Sequence, residues 1–218
     1  MKKIINFFIL LFISIPFSYS QITIGGGPSL QKTFGVQAPY YGAHIMIEKA
    51  TDEYQSFFGR FNFYGNQYSR SSLVNVEAVD PSVTPSVLQV NARYSFNYIG
   101  FDGGKRFYFG NGFNYGFAPY GGALISGYFN SIKIDADYDK SKYLLANGSG
   151  SKGSIFTIAF GLNGGLKYDF QWGTLYFDAA LFYSIIAIPS NELARSGFYE
   201  LGGPLLFNFG IGYKKTLW

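Results

Sequence analysis

Apolar and polar residues alternate one by one over long stretches of this chain. From Leu88 onward, Leu88, Val90, Ala92, Tyr94, Phe96 and Tyr98 fall on one face, and Gln89, Asn91, Arg93, Ser95 and Asn97 on the other. Further on, Ile158, Phe160, Leu162, Leu166, Tyr168 and Phe170 oppose Thr157, Gly161, Asn163, Lys167 and Asp169. Phe57, Phe61 and Phe63 oppose Arg60, Asn62 and Asn66, while Phe207, Phe209, Ile211 and Tyr213 oppose Asn208, Gly210, Gly212 and Lys214. Phe107, Phe109, Phe113, Tyr115 and Phe117 oppose Gly110, Gly112, Asn114 and Gly116. A period of two is the period of a β-strand with one apolar face. The pattern predicts eight strands: Ile22–Gln31, Tyr40–Lys49, Ser56–Asn66, Val87–Gly100, Arg106–Phe117, Phe156–Phe170, Thr174–Ile186 and Leu205–Leu217.

The apolar face is rich in rings, and the opposite face holds Gly, Asn and scattered charge. That suits a wall whose outside meets lipid and whose inside is narrow and polar. The predicted fold class is therefore all-β, a closed antiparallel transmembrane β-barrel. The links Ala50–Gln55, Phe101–Lys105 and Gln171–Gly173 are short; those after the third, fifth and seventh strands are long and polar. Short turns at one end and long loops at the other give periplasmic turns and extracellular loops. The strands reach the ~9–11 residues that cross a bilayer at a tilt, and sixteen of them would not fit, which excludes a general porin. The segment between Phe117 and Phe156 reads as a bent continuation of the fifth strand into an external hairpin. A barrel of ten strands is the alternative.

The N-terminus changes the picture of charge. Met1-Lys2-Lys3, the apolar stretch Ile4–Phe17 and Ser18-Tyr19-Ser20 have the form of a secretory signal peptide over residues 1–20. The stretch is shorter than the ~20 residues of a helical span. Its removal leaves a barrel domain over 21–218 and lowers Lys+Arg from 17 to 15 against 13 Asp+Glu. No basic cluster remains, so nucleic acid is not an expected partner. Only 14% of residues are charged and 21% are aromatic, yet the mean hydropathy is just +0.07. Those values exclude disorder and a helical membrane bundle. With no Cys, disulfides, thiolate metal sites and Cys nucleophiles are impossible.

The leader, the aromatic alternation, the asymmetry of the links and the final Leu217-Trp218 together resemble small outer-membrane barrels of the OmpA/OmpX type. The Ser20-Gln21 junction and the abundance of Asn, Tyr and Phe look like the versions of Bacteroidota-like bacteria. The resemblance implies insertion by the barrel-assembly machinery, outer-membrane lipid and lipopolysaccharide as surroundings, and export by the general secretory route. Trp218 is off the parity of Phe207 to Tyr213, so the C-terminal signal for that machinery is imperfect.

Small barrels include lipid A-modifying enzymes, which need a nucleophile or activated water with a base. The single His, His44, takes the luminal parity with Met46 and Glu48, away from acyl chains, and a hydrogen-bonded structural role is expected of it. The inward-facing charges Glu48, Arg60, Arg93, Lys167 and Asp178 are expected to pair as a luminal network, because an unpartnered buried charge is costly. Asp135, Asp137 and Asp139 are accompanied by Lys133, Lys140 and Lys142, so a calcium site is not expected, and no cofactor is either. Asn147-Gly148-Ser149 matches a glycosylation sequon by pattern alone. Leu73, Val74, Val76, Leu144, Leu145, Leu193 and Phe198 are apolar residues in long loops, which suggests contact with other outer-membrane proteins. The expected function is a non-enzymatic accessory or structural subunit of an outer-membrane complex, with a lipid A-modifying enzyme or a narrow pore as alternatives.

Overall fold

The computed structural model describes residues 21–34, 39–65, 69–113, 116–146, 151–191, 194–195 and 203–217. The leader over 1–20, the sequon at 147–149, Leu193, Phe198, Asn66, Asn114, Tyr115 and Trp218 lie outside the described residues, as does the side chain of Tyr94. Ten strand segments follow one another: β1 (Ile22–Thr33), β2 (Tyr40–Ala50), β3 (Gln55–Tyr64), β4 (Ser69–Ala78), β5 (Val87–Tyr108), β6 (Phe117–Ala136), β7 (Tyr143–Leu145), β8 (Lys152–Phe170), β9 (Gly173–Pro189) and β10 (Leu205–Thr216).

The sheet is antiparallel, and pairing of β3 with β5 closes it. β3 and β4 pair with successive stretches of β5, residues 98–107 and 87–95, so together they fill one position in the wall. β7 is added to the outer edge of β4. The closed barrel thus has eight positions, and the extra segments belong to an extracellular extension. Tracing paired residues from Ser29 one way round reaches Ile155 of β8, and the other way reaches Gly165, an offset of ten residues. With eight strands that stagger implies a tilt of about 40°. An interior of this size is just wide enough for side chains to fill.

Side-chain direction follows the alternation. Ile45, Ile47, Phe61, Phe101, Ile125, Phe160, Leu162, Phe177 and Ile211 face outward and are exposed, whereas His44, Glu48, Arg60, Asn62, Thr157, Asn163, Lys167 and Asn208 face inward and are buried. Such an exterior, contiguous and apolar over the length of the barrel, is stable only in lipid.

The fifth predicted strand, Arg106–Phe117, is incorrect. Phe101–Lys105 is not a turn; β5 runs on through it to Tyr108, and the chain turns within 109–116 instead. The glycines explain the difference. A Cβ at Gly104 would lie 2.3 Å from the Ala123 carbonyl oxygen, so this glycine permits close approach of β5 and β6. Gly110, Gly112 and Gly116, by contrast, hold φ of 71°, 72° and 49°, the left-handed conformation that a turn requires.

The predicted facing of Leu88–Tyr98 is also reversed. Val90, Ala92, Phe96 and Tyr98 are buried inside, while Asn91, Arg93 and Asn97 are exposed outside. The reason is height. β5, β6, β8 and β9 have 22, 20, 19 and 17 residues against 12, 11 and 12 for β1, β2 and β10. One side of the barrel therefore rises beyond the bilayer as a wall. There the outside meets water, and the apolar face turns inward to pack Tyr40, Tyr64, Ala92, Phe96, Tyr98, Ile132 and Ile134 together. Val76, Val90 and Tyr143 form a second small core in this wall, with Val74 and Leu145 against it. Of the predicted loop contacts, Leu73 and Leu144 remain exposed.

Candidate functional site

Among the described residues, eight charged side chains from six strands gather in the periplasmic half of the lumen. β2 supplies Glu48, β3 Arg60, β5 Asp102 and Arg106, β8 Lys167 and Asp169, β9 Asp178, and β10 Lys214. Four carboxylates thus face four cations, and the group is electrically balanced. Asp169 is 17% exposed and the others 3% or less.

The centre is a chain of alternating charge. Asn62 Nδ2 and Arg60 Nε donate to Asp102 at 2.7 and 2.9 Å, and Ser126 adds a third bond to that carboxylate. Arg60 Nη1 lies 3.2 Å from Asp178, which also accepts from Arg106 and from Tyr120 OH at 2.9 Å. The Arg106 guanidinium sits 4.0 Å from the Phe58 ring centre and 4.7 Å from that of Tyr120, and continues to Glu48 at 3.4 Å. Glu48 accepts from Ser56 Oγ at 2.6 Å, Tyr108 OH at 2.5 Å and Lys214 Nζ at 2.7 Å. Burying these ions removes several kcal/mol of hydration from each, which only this density of paired, charge-assisted bonds offsets.

The mouth below is stoppered by Phe113 from the 109–116 turn. Its ring is buried between Lys214 Nζ, 4.8 Å from the ring centre, and Lys167 Nζ at 5.8 Å, and it meets Tyr108 edge-on at 5.3 Å. Lys167 donates to the Phe113 carbonyl and to Asp169, and Phe113 N donates to the Glu53 carbonyl at 2.6 Å. A cleft of about 320 Å³ remains beside it, lined in part by Thr23, Asp169, Thr174 and Lys214.

Four of the five residues predicted for the network, Glu48, Arg60, Lys167 and Asp178, sit in this lumen. Arg93 does not; it is exposed on the outer face of the extracellular wall, paired in register with Asp135. The prediction lacked Asp102 and Arg106, because the stretch containing them was read as a turn and a strand start, and it lacked Lys214 and Asp169 although both had inward parity. His44 is buried, its Nε2 2.6 Å from Tyr176 OH. Among the described residues no serine and no carboxylate hydrogen-bonds to it. Asp135 is held by Lys133 Nζ at 2.7 Å, and Asp139 accepts from Ser141 Oγ at 2.6 Å and approaches Lys142 at 3.5 Å.

Neither a family model nor a curated protein sequence matches the chain. Solved structures do. Neisserial surface protein A, NspA, aligns at 13% identity and a TM-score of 0.53, over 90% of this chain and 96% of that one. The N-terminal β-barrel domain of Pseudomonas aeruginosa OprF aligns at 14% identity and 0.47, over 90% and 99%. Ail, the attachment invasion locus protein of Yersinia pestis, aligns at 17% identity and 0.46, over 90% and 97%. The likeness to NspA is one of fold, and the fold is that of a small outer-membrane β-barrel of the OmpA/OmpX type.

Proposed function

We propose that this chain is a non-enzymatic outer-membrane barrel that serves as a structural or accessory subunit of a larger outer-membrane complex. The observation that carries the proposal is the one-sided extracellular wall built from β4–β9. It holds its own apolar core yet still exposes Leu73, Val79, Val87 and Leu144 to water. A barrel that only spanned the membrane would gain nothing from strands of this length, whereas a protein partner would cover those side chains. The filled lumen supports the same reading, because ion pairs and rings occupy the space that a conduit or a substrate would need. Export through the general secretory route, insertion by the barrel-assembly machinery, and outer-membrane proteins as partners are parts of this proposal. Extraction of the native protein in mild detergent, followed by native mass measurement, tests it. Recovery with stoichiometric outer-membrane proteins is the expected result, and a strictly monomeric species refutes it.

A further inference from the structure

The outer wall near the periplasmic end carries cations among its apolar side chains, and two of them stand close together. Lys49 of β2, Phe57 of β3 and Lys105 of β5 are consecutive partners in one register row, so the two lysines flank an exposed ring. Both alternate with outward apolar residues, Ile45 and Ile47 on β2 and Phe101 and Phe107 on β5. Lys105 Nζ lies 5.7 Å from the Phe57 ring centre and 5.1 Å from that of Phe107. Among the described residues neither lysine makes an ion pair. The nearest acidic residues in sequence, Glu48 and Asp102, are buried on the luminal side; in the turn below, Asp52 Oδ1 is engaged by Tyr54 N at 2.8 Å.

A cation on a lipid-facing wall is costly at the bilayer centre and far less so at the interface, where its stem lies along apolar surface and its head reaches the phosphates. Above the row, on the membrane side, Gly59 and Gly103 pair with one another beneath the Phe101 ring. A Cβ added at Gly59 would meet the Phe101 ring at 3.5 Å, and one at Gly103 would meet the Phe58 carbonyl oxygen at 3.7 Å and the same ring at 3.8 Å, so the ring covers both glycines. Ile47 and Ile125 flank the glycine pair on either side, so the surface above the lysines is apolar. Such an apolar surface suits an acyl chain whose headgroup lies against the lysines.

We infer that Lys49 and Lys105 bind the phosphate of an anionic glycerophospholipid in the inner leaflet, with its acyl chain against the outward side chains of Ile47, Phe101 and Ile125 above them. The inference rests on the membrane-spanning fold and is independent of the subunit role proposed above. Phosphate recognition by two ammonium groups, that of Lys105 lying over rings, combines charge attraction with cation–π support.

The test is native mass spectrometry of the mature protein in non-ionic detergent containing phosphatidylglycerol and phosphatidylcholine of matched acyl chains. Preferential retention of phosphatidylglycerol is expected. Lys49→Gln and Lys105→Gln should each lower the preference about five-fold, the effect of one surface cation on an anionic lipid, and Arg at both positions should keep it. Lys215→Gln, an equal loss of charge on β10, should change it less than two-fold. Each folded variant is verified by its heat-modifiable gel shift. Equal retention of the two lipids, an unchanged preference in the double Gln variant, the same fall in Lys215→Gln, or displacement by inorganic phosphate overturns the inference, the last by showing a free-anion site.

Discussion

Replacing Asp178 by Asn keeps the size of the side chain but removes its charge from the centre of the lumen. Asp178 is 1% exposed and lies between Arg60, at 3.2 Å, and Arg106. At an effective dielectric of about 20, unit charges this close attract by roughly 5 kcal/mol. Arg60 retains Asp102 and Arg106 retains Glu48, but the network is left with one excess positive charge and little water to solvate it. Breaking a buried pair in this way costs about 3–5 kcal/mol. Arg106→Met, which preserves contact with the Phe58 and Tyr120 rings, leaves the opposite excess and a similar cost. The double variant restores neutrality, with Arg60 on Asp102 and Glu48 on Lys214. Its destabilisation should therefore fall short of the summed singles by about 2 kcal/mol, within the range of directly coupled residues. Urea titrations in phosphatidylcholine vesicles, followed by tryptophan fluorescence, measure all three. Additive losses, or a loss under about 1 kcal/mol for either single variant, would refute the claim that these charges act as one balanced unit.

Other consequences are open to direct measurement. Gly112→Ala places a Cβ 2.5 Å from the Glu53 carbonyl oxygen at a φ of 72°, so unfolding in urea should show a loss of about 1–3 kcal/mol; an unchanged midpoint would mean that the 109–116 turn is not built as described. His44→Ala removes the bond to Tyr176 and should cost about 1 kcal/mol while leaving the mass of lipid A in the producing cells unchanged; an altered lipid A mass would instead revive the enzymatic alternative. Hydrogen bonds from the Ser141 hydroxyl and backbone hold the Asp139 carboxyl below its ordinary value of 3.8. The order those bonds give to the 137–142 loop is thus present above that value and is lost as pH falls through the depressed pKa. By NMR titration, Ser141→Ala should move Asp139 upward, and no movement would contradict this assignment.

How much could be read in advance depends on what surrounds each strand. Along Phe160–Phe170 and Phe207–Lys214 the outside is lipid and the inside is polar, so parity alone places Asn163, Lys167 and Asn208 inward. Along Leu88–Tyr98 the same alternation has the opposite meaning, because this stretch stands above the bilayer and its apolar face packs the interior of the wall. Nothing local to the sequence marks that change of solvent; the length of β5, visible once Phe101–Lys105 is recognised as strand, does. Asp102-Gly103-Gly104 has the composition of a turn, yet Gly104 serves close strand approach and Gly103 lies beneath the Phe101 ring. That misreading hid Asp102 and Arg106, and with them the middle of the network. Lys214 carried the needed signal, a charge at inward parity opposite Phe209 and Ile211.

The direction of the side chains on the barrel wall is the claim on which the rest depends, and the absence of Cys from the sequence makes it directly measurable. Single cysteines at successive positions from 160 to 168, spin-labelled in the folded protein in liposomes, report access to oxygen and to a water-soluble nickel complex. High oxygen access at 160, 162, 166 and 168, with low access to both reagents at 163 and 167, is the predicted outcome. Uniform access along the strand, or entry of the nickel complex at 163 and 167, would contradict a lipid-embedded barrel with a filled lumen.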